Sequence, residues 1–190
     1  MNLTRLLIVL MALSAISCRT DIPVPKPEGF HRLELPKHEY TPYSDSNCPF
    51  AFDLPVYAVP NMRKPDSCWV NFHLKPLNCY WHLTYKDLRS AKITHQAAYE
   101  DYRRLIYKHS QQATEITETI LKTQHGSGVL FQIYGNVPTS AQVFFSDSSK
   151  NAIMMSFYFN TALKNDSLSP IIEFVKEDMR HAIESLTWKK

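Results

Sequence analysis

Between residues 129 and 160 three strand-like runs follow one another with no helix between them, and this succession limits the fold more than any other feature of the chain. Val129 to Tyr134, Ala141 to Ser146 and Ala152 to Asn160 are rich in β-branched and aromatic residues. The gaps, Gly135-Asn136-Val137-Pro138 and Asp147-Ser148-Ser149-Lys150, are too short for a crossover, so the runs must pair antiparallel. In the second gap the Asp and Ser side chains can bond to nearby backbone amides, which predicts a hairpin turn and gives Asp147 a structural task in place of a catalytic one. Upstream, His31 to Leu35, Val56 to Val59, Ser67 to Leu74 and Tyr80 to Tyr85 are further predicted strands, each bounded by Pro, Asp or Asn. The 12 prolines against 4 glycines imply stiff, extended connections, with proline at strand edges and ends.

Two segments change to helical period. Thr94 is the expected N-cap of a helix whose stripe runs through Ala98, Tyr102, Leu105, Ile106, His109, Ala113, Ile116 and Ile120. Near the end, Asp166 or Ser169 can cap and Pro170 suits a first turn. Leu168, Ile171, Ile172, Val175, Met179, Ala182, Ile183 and Leu186 then form a second stripe. Each helix has one apolar face to cover. The order β-β-β-β-α-β-β-β-α therefore predicts an α+β fold in which two helices pack on an antiparallel sheet, as a two-layer or αβα sandwich.

The first residues are an address and not part of that fold. Arg5 precedes an apolar stretch from Leu6 to Ile16, too short to span a bilayer, and the stretch ends in Leu13-Ser14-Ala15-Ile16-Ser17-Cys18. Small residues directly before a cysteine resemble a bacterial lipobox: residues 1–17 are the expected lipoprotein signal peptide and Cys18 the acylated first mature residue. Residues 18–29 carry alternating prolines and read as an extended tether of about 3.1 Å per residue. Residues 30–190 are expected to form a single domain. The formal charge of +3 and the scattered Lys and Arg exclude a nucleic-acid footprint.

With Cys18 lipidated, Cys48, Cys68 and Cys79 allow one disulfide and leave one thiol over. Cys48–Cys68 is the expected pair, closing a loop of about 20 residues worth about 3 kcal/mol in the chain-entropy model. Cys79 is then a small buried hydrophobe. Zinc is disfavoured, since no pair is spaced Cys-x-x-Cys and no His stands at a matching interval.

Nucleophile elbows, P-loops and His-Glu-x-x-His helices are absent, so no enzyme and no cofactor are expected. His109 falls on an apolar stripe and reads as a core histidine, while His181, after Glu177 and Asp178, reads as helix surface pairing. Trp69, Trp81 and Phe157-Tyr158-Phe159 would mark a docking surface if they stood exposed together. A concave pocket with convergent polar groups between sheet and helices would instead indicate a periplasmic module binding a small ligand.

Several segments together resemble the gliding-motility lipoprotein GldD family of the Bacteroidota. These are residues 25–36, Cys48-Pro49-Phe50-Ala51-Phe52, Pro55-Val56-Tyr57-Ala58, Cys68-Trp69-Val70-Asn71, Tyr107-Lys108-His109-Ser110, the run from Gly135-Asn136 through Ser140 to Ser148, and Phe157-Tyr158-Phe159-Asn160 with Asp166-Ser167-Leu168-Ser169-Pro170. The resemblance implies a cell-envelope lipoprotein, held by lipid through Cys18, that works beside other gliding and type IX secretion proteins without an assigned enzymatic activity. It matches Cys48 and Cys68 to the two cysteines before the family's first long helix, and Cys79 departs from it. Asp166-Ser167-Leu168 resembles the O-glycan acceptor of exported proteins in these bacteria, which makes Ser167 a candidate site, beside the structural explanation that capping gives a helix-start Asp-Ser pair. Arg19 stands where an Asp would suggest inner-membrane retention, which favours the periplasmic leaflet of the outer membrane. The order of elements is similar to that of the PsbP-like class.

Overall fold

The antiparallel rule extends well beyond residues 129–160. The structure, a computed structural model, describes residues 34–63, 68–109, 111–160 and 165–189. Cys18, and the predicted strand at residues 31–35 up to Leu33, lie outside the described residues; Glu34 and Leu35 are in no strand.

In chain order the strands are β1 (Tyr40–Ser44), β2 (Phe50–Pro55), β3 (Ala58–Arg63), β4 (Trp69–Leu74), β5 (Cys79–Asp87), β6 (Ala113–Thr123), β7 (Gly126–Gly135), β8 (Ala141–Ser146), β9 (Asn151–Phe159) and β10 (Thr187–Trp188). The helices are α1 (His95–His109) and α2 (Asn165–Glu184). Seven strands form one sheet in the order β3-β4-β5-β9-β8-β7-β6, and β1-β2-β10 form a small second sheet. Every neighbouring pair is antiparallel. Among the described residues this is an α+β sandwich with α1 on one face of the large sheet, and α2 with the small sheet on the other.

Alternation along the strands divides the core in two. Trp81 and Leu83 of β5, Ile153, Met155 and Phe157 of β9, and Val143 and Phe145 of β8 meet α2 through Ile172, Val175, Met179 and Ile183. On the opposite face Phe131, Ile133, Phe144 and Ala152 meet Ala98, Tyr102 and Ile106 of α1. Prolines fall where ladder hydrogen bonds are not needed: Pro42 on edge strand β1, Pro60 on edge strand β3 beside a register shift, and Pro55 at the end of β2. Thr94 caps α1, its Oγ1 accepting the Ala97 amide at 3.1 Å.

The first helix is shorter than its stripe predicts. Ala113, Ile116 and Ile120 belong to β6, and Ile120 is 69% exposed. Residues 113–123 carry Thr at four positions and Ile at two, and β-branched side chains fit a pleated strand better than a helix. Pairing with β7 along the whole hairpin then outweighs a spacing that matched helical period by coincidence. The second helix starts at Asn165, so Pro170 lies inside it and not in its first turn.

Cys48, just before β2, is joined to Cys68, just before β4, with Cα atoms 5.5 Å apart, and this bond ties the small sheet to the large one. Cys79 is free and buried. Replacing both Cys48 and Cys68 with Ser should lower the unfolding free energy in urea by about 3 kcal/mol through the entropy of the opened loop. An unchanged midpoint would show that the bridge adds nothing to stability.

Candidate functional site

The connection from β5 to β6 shapes a concave surface of the domain. β5 is the third strand of the sheet and β6 its far edge, four strand spacings or about 19 Å away. A helix of 15 residues is about 22 Å long. Packed on β7, β8 and β9, α1 leaves β4 and β5 uncovered on its side and opens a cleft of about 610 Å³ along its flank.

Register explains the chemistry of the cleft floor. Residues directly opposite in neighbouring strands share a face. Asn71 pairs with His82, His82 with Ser156, and Ser156 with Gln142, so one polar residue per strand forms a row across β4, β5, β9 and β8. Gln142 in turn pairs with Phe131 of β7, under α1, where the row turns apolar. Beside it runs His73, Tyr80 and Tyr158, and on the other side Trp69, Thr84 and Met154.

Tyr102 of α1 reaches down to this floor. Its hydroxyl lies 3.1 Å from Gln142 Oε1, 3.3 Å from the Met155 carbonyl and 3.4 Å from Ser156 Oγ, and Ser156 Oγ lies 3.3 Å from Gln142 Oε1. Burial holds the Tyr102 phenol well above its ordinary range, and burial likewise raises that of Tyr158. Burial pushes the His82 imidazole below its ordinary value. The rings of His82 and Tyr158 meet edge to face at 4.8 Å, and Tyr80 stacks on His73 at 4.6 Å. Above the floor, the β7–β8 loop contributes Pro138 and Thr139, and α1 contributes the half-exposed Leu105. Thr139 is 7% exposed, and its hydroxyl has no hydrogen-bond partner.

A second polar cluster lies on the opposite face and is fully engaged. Asp178 of α2 is 0% exposed. Its Oδ1 accepts from His38 Nδ1 at 2.7 Å and from the Tyr40 hydroxyl at 2.8 Å, and its Oδ2 accepts from the Tyr57 hydroxyl. Burial, then the bonds to Asp178, raises both phenols. His181 stacks on Tyr40 at 3.7 Å and approaches Asp53 at 3.3 Å. The sequence reading of Asp178 and His181 as surface helix pairing is thus corrected: Asp178 points into the domain because its position continues the buried stripe of Ile171 and Val175. The cluster fastens β1 and the β2–β3 turn to α2.

Other sequence candidates sort as follows. Asp147 caps the β8–β9 turn, its Oδ1 accepting the amides of Ser149, Lys150 and Asn151 at 2.8 to 2.9 Å. The aromatic set does not form one surface, since alternation sends Trp81 and Phe157 into the α2 core and leaves Trp69 half-exposed on the other face. Ser167 lies in the first turn of α2, and its side chain is outside the described residues, as is that of His109. Cys18 is outside them altogether. Among the described residues no group of His, Cys, Asp and Glu is placed to hold a metal. Of the cleft residues, Tyr102 belongs to the predicted helix stripe and Tyr158 to the aromatic set, while His82, Gln142 and Ser156 escaped sequence reasoning. Their signal was there, as polar residues at period two inside apolar runs such as Trp81-His82-Leu83 and Met155-Ser156-Phe157.

The family model for the gliding motility lipoprotein GldD matches residues 20–188. The chain belongs to the GldD family. Membership in this lipoprotein family implies association with the cell envelope, and no helix among the described residues is long and apolar enough to cross a membrane. No curated protein matches the chain. Among solved structures, the Ran-binding protein Mog1p of Saccharomyces cerevisiae is similar at TM-score 0.51 and 9% identity, covering 80% of this chain and 96% of its own. The cyanobacterial PsbP of Synechocystis is similar at TM-score 0.46 and 12% identity, covering 87% of this chain and 99% of its own. At such identities the Mog1p likeness shows the fold alone.

Two outcomes check the electrostatic reading. Asp178→Ala leaves the donors of Tyr40 and Tyr57 without their buried acceptor and should cost about 3 kcal/mol or more in denaturant unfolding; a loss below 1 kcal/mol would contradict it. The folded state favours neutral His82, so its contribution is complete above the ordinary value of 6.5 and falls as pH drops through the lowered folded value. Urea midpoints at pH 7.5 and 5.0 should therefore differ less in His82→Gln than in the unaltered chain. Equal differences would rule out His82 as a source of acid sensitivity.

Proposed function

We propose that this GldD-family chain is a lipoprotein tethered by acylated Cys18, facing the periplasm from the outer membrane, and that it supports gliding motility and type IX protein secretion as a non-enzymatic accessory or scaffold component. The match over residues 20–188 carries this reading. The basic and apolar leader ending in Ala15-Ile16-Ser17-Cys18 supports the anchor. Its partners are then other envelope proteins of the gliding and secretion apparatus, with the bilayer engaged through the acyl chains. The two faces of the domain divide the work: the face bearing α2, with the disulfide and the Asp178 cluster, holds the fold together, and the α1 face presents the accessible cleft.

Deletion of the gene, complemented with the natural sequence or with Cys18→Ala, tests the reading. The expected result is lost delivery of secreted adhesins in the deletion strain, recovery with the natural sequence, and release of the Cys18→Ala protein from the membrane fraction with poor recovery. Normal secretion in the deletion strain would overturn the role, and membrane retention of Cys18→Ala would overturn the anchor.

A second reading is favoured by one observation, the concave cleft with convergent polar groups: the domain is a periplasmic module that binds a small ligand. Mass spectrometry of the native protein after denaturation should then release a low-mass compound. A protein that yields only polypeptide and lipid would count against this second reading.

A further inference from the structure

The cleft is selective in what it offers. Its volume of about 610 Å³ falls within the range of about 300–1,000 Å³ usual for small-molecule sites. Among the described residues no Asp, Glu, Lys or Arg lines it, so nothing in its wall compensates the desolvation of a charged ligand. The floor supplies neutral hydrogen-bonding groups in a row, His82, Ser156 and Gln142, with Thr84 and Tyr158 beside them. The upper wall, formed by Leu105, Ile106 and Pro138, is apolar. Thr139 on the rim loop holds a buried hydroxyl with no partner in the folded domain. Buried polar groups are nearly always paired; among the described residues the Thr139 hydroxyl shares this lack with Trp81 Nε1, His95 Nδ1 and Ser140 Oγ, and of the four it alone belongs to a residue that lines the cleft.

Other ligand classes fit less well. A hydrocarbon chain would leave the row and Thr139 unpaired, at the cost of burying polar groups without hydrogen bonds. A peptide strand needs a sheet edge whose amides can pair with it, whereas the floor is a sheet face whose backbone groups are used between β5, β9 and β8. A flat heteroaromatic ring is best held between parallel rings, but His82 and Tyr158 stand at 83° to one another. A sugar ring has the matching build: hydroxyls around its edge for the polar row, and an apolar C–H face for an aromatic ring or for the Leu105 wall.

We propose that the cleft between α1 and the β5–β9–β8 floor binds a neutral saccharide of one or two rings, with Gln142, Ser156 and Thr139 contacting its hydroxyls and Tyr158 supplying a ring face. The proposal rests on the second reading above, that the domain holds a small ligand, and it names the class. Neutral His82, kept uncharged by its burial, suits hydrogen bonding to a hydroxyl in either direction.

Thr139→Val separates binding from folding. The substitution preserves shape and removes a buried hydroxyl without a partner, so the unliganded chain should melt at the same temperature or higher. Loss of a ligand hydrogen bond should weaken binding about tenfold. The full-length lipidated chain, held in a zwitterionic detergent without a sugar headgroup, is titrated calorimetrically at pH 7.5 with cellobiose, maltose and N,N′-diacetylchitobiose in turn. The expected result is saturable binding of at least one, weakened by Thr139→Val and by Tyr158→Ala in protein that still melts cooperatively. No binding of any of the three, or binding that Thr139→Val leaves unchanged, overturns the saccharide assignment. If the native protein releases a compound that is not a saccharide, this assignment fails while the ligand-binding reading stands.

Discussion

The route from β5 to β6 is the constraint on which the rest of the domain depends. Five of the six connections within the large sheet join adjacent antiparallel strands, but this one must leave the third strand and return at the far edge. A helix is the natural bridge, because it satisfies its own backbone while crossing a sheet face. Once α1 lies over β7, β8 and β9, Phe131, Phe144 and Ala152 have their cover and the β4–β5 half of that face does not. Residues on the uncovered half must tolerate water. Asn71, His73, His82 and Thr84 meet that demand, and their partners across the same strands, Val70, Phe72, Trp81 and Leu83, meet the opposite demand on the α2 side. The cleft is thus a consequence of topology before it is a device for function.

The other face is closed by different means. The small sheet offers only β1, β2 and the two residues of β10, which is little area for a stable layer. Three attachments compensate. The Cys48–Cys68 bond fixes the start of β2 to the start of β4. Phe50, Phe52 and Phe72 make an aromatic core between the two sheets, with Phe52 and Phe72 edge to face at 6.0 Å. Asp178 gathers donors from His38, Tyr40 and Tyr57, so that one buried carboxylate on α2 determines where β1 and the β2–β3 turn sit. A buried charge of this kind adds little net stability over a well-packed apolar residue, but it penalises every arrangement that leaves it without donors. Its effect is to specify one docking of the outer layer.

How much of this was legible follows from what each signal encodes. The strands from Val129 to Asn160 were readable because turns and alternation agree, and the Asp147 turn because its side chain acts locally. The α+β sandwich follows from that order. The end of α1 was not readable from spacing, since Ala113, Ile116 and Ile120 fit helical period while the β-branched content of residues 113–123 argued for a strand. β2 was hidden as well, because Phe50-Ala51-Phe52-Asp53-Leu54 is short and its partner, Tyr40–Ser44, contains a proline. Asp178 was misread because a helix position says how a residue is phased and not which donors lie 140 residues away in sequence. The cleft shares that limit: His82, Gln142 and Ser156 become neighbours only through register.

Topology explains that a cleft exists but not what lines it. The similarity to Mog1p at 9% identity shows how little sequence the sandwich itself requires. Docking α1 accounts for part of the polar row, since the Tyr102 hydroxyl, Gln142 and Ser156 bond with one another beneath the helix. Even there an apolar trio would satisfy the packing without burying polar atoms whose hydrogen bonds return only a modest net gain. It accounts for none of the rest. Thr139 buries a hydroxyl with no partner, where a valine of equal shape would be cheaper, and His82 and Tyr158 accept partial burial at an open wall that water alone would serve. A local choice that opposes stability, set in the wall of a concave surface beside half-buried polar rings, is the pattern expected where a chain is shaped for a ligand as well as for its fold.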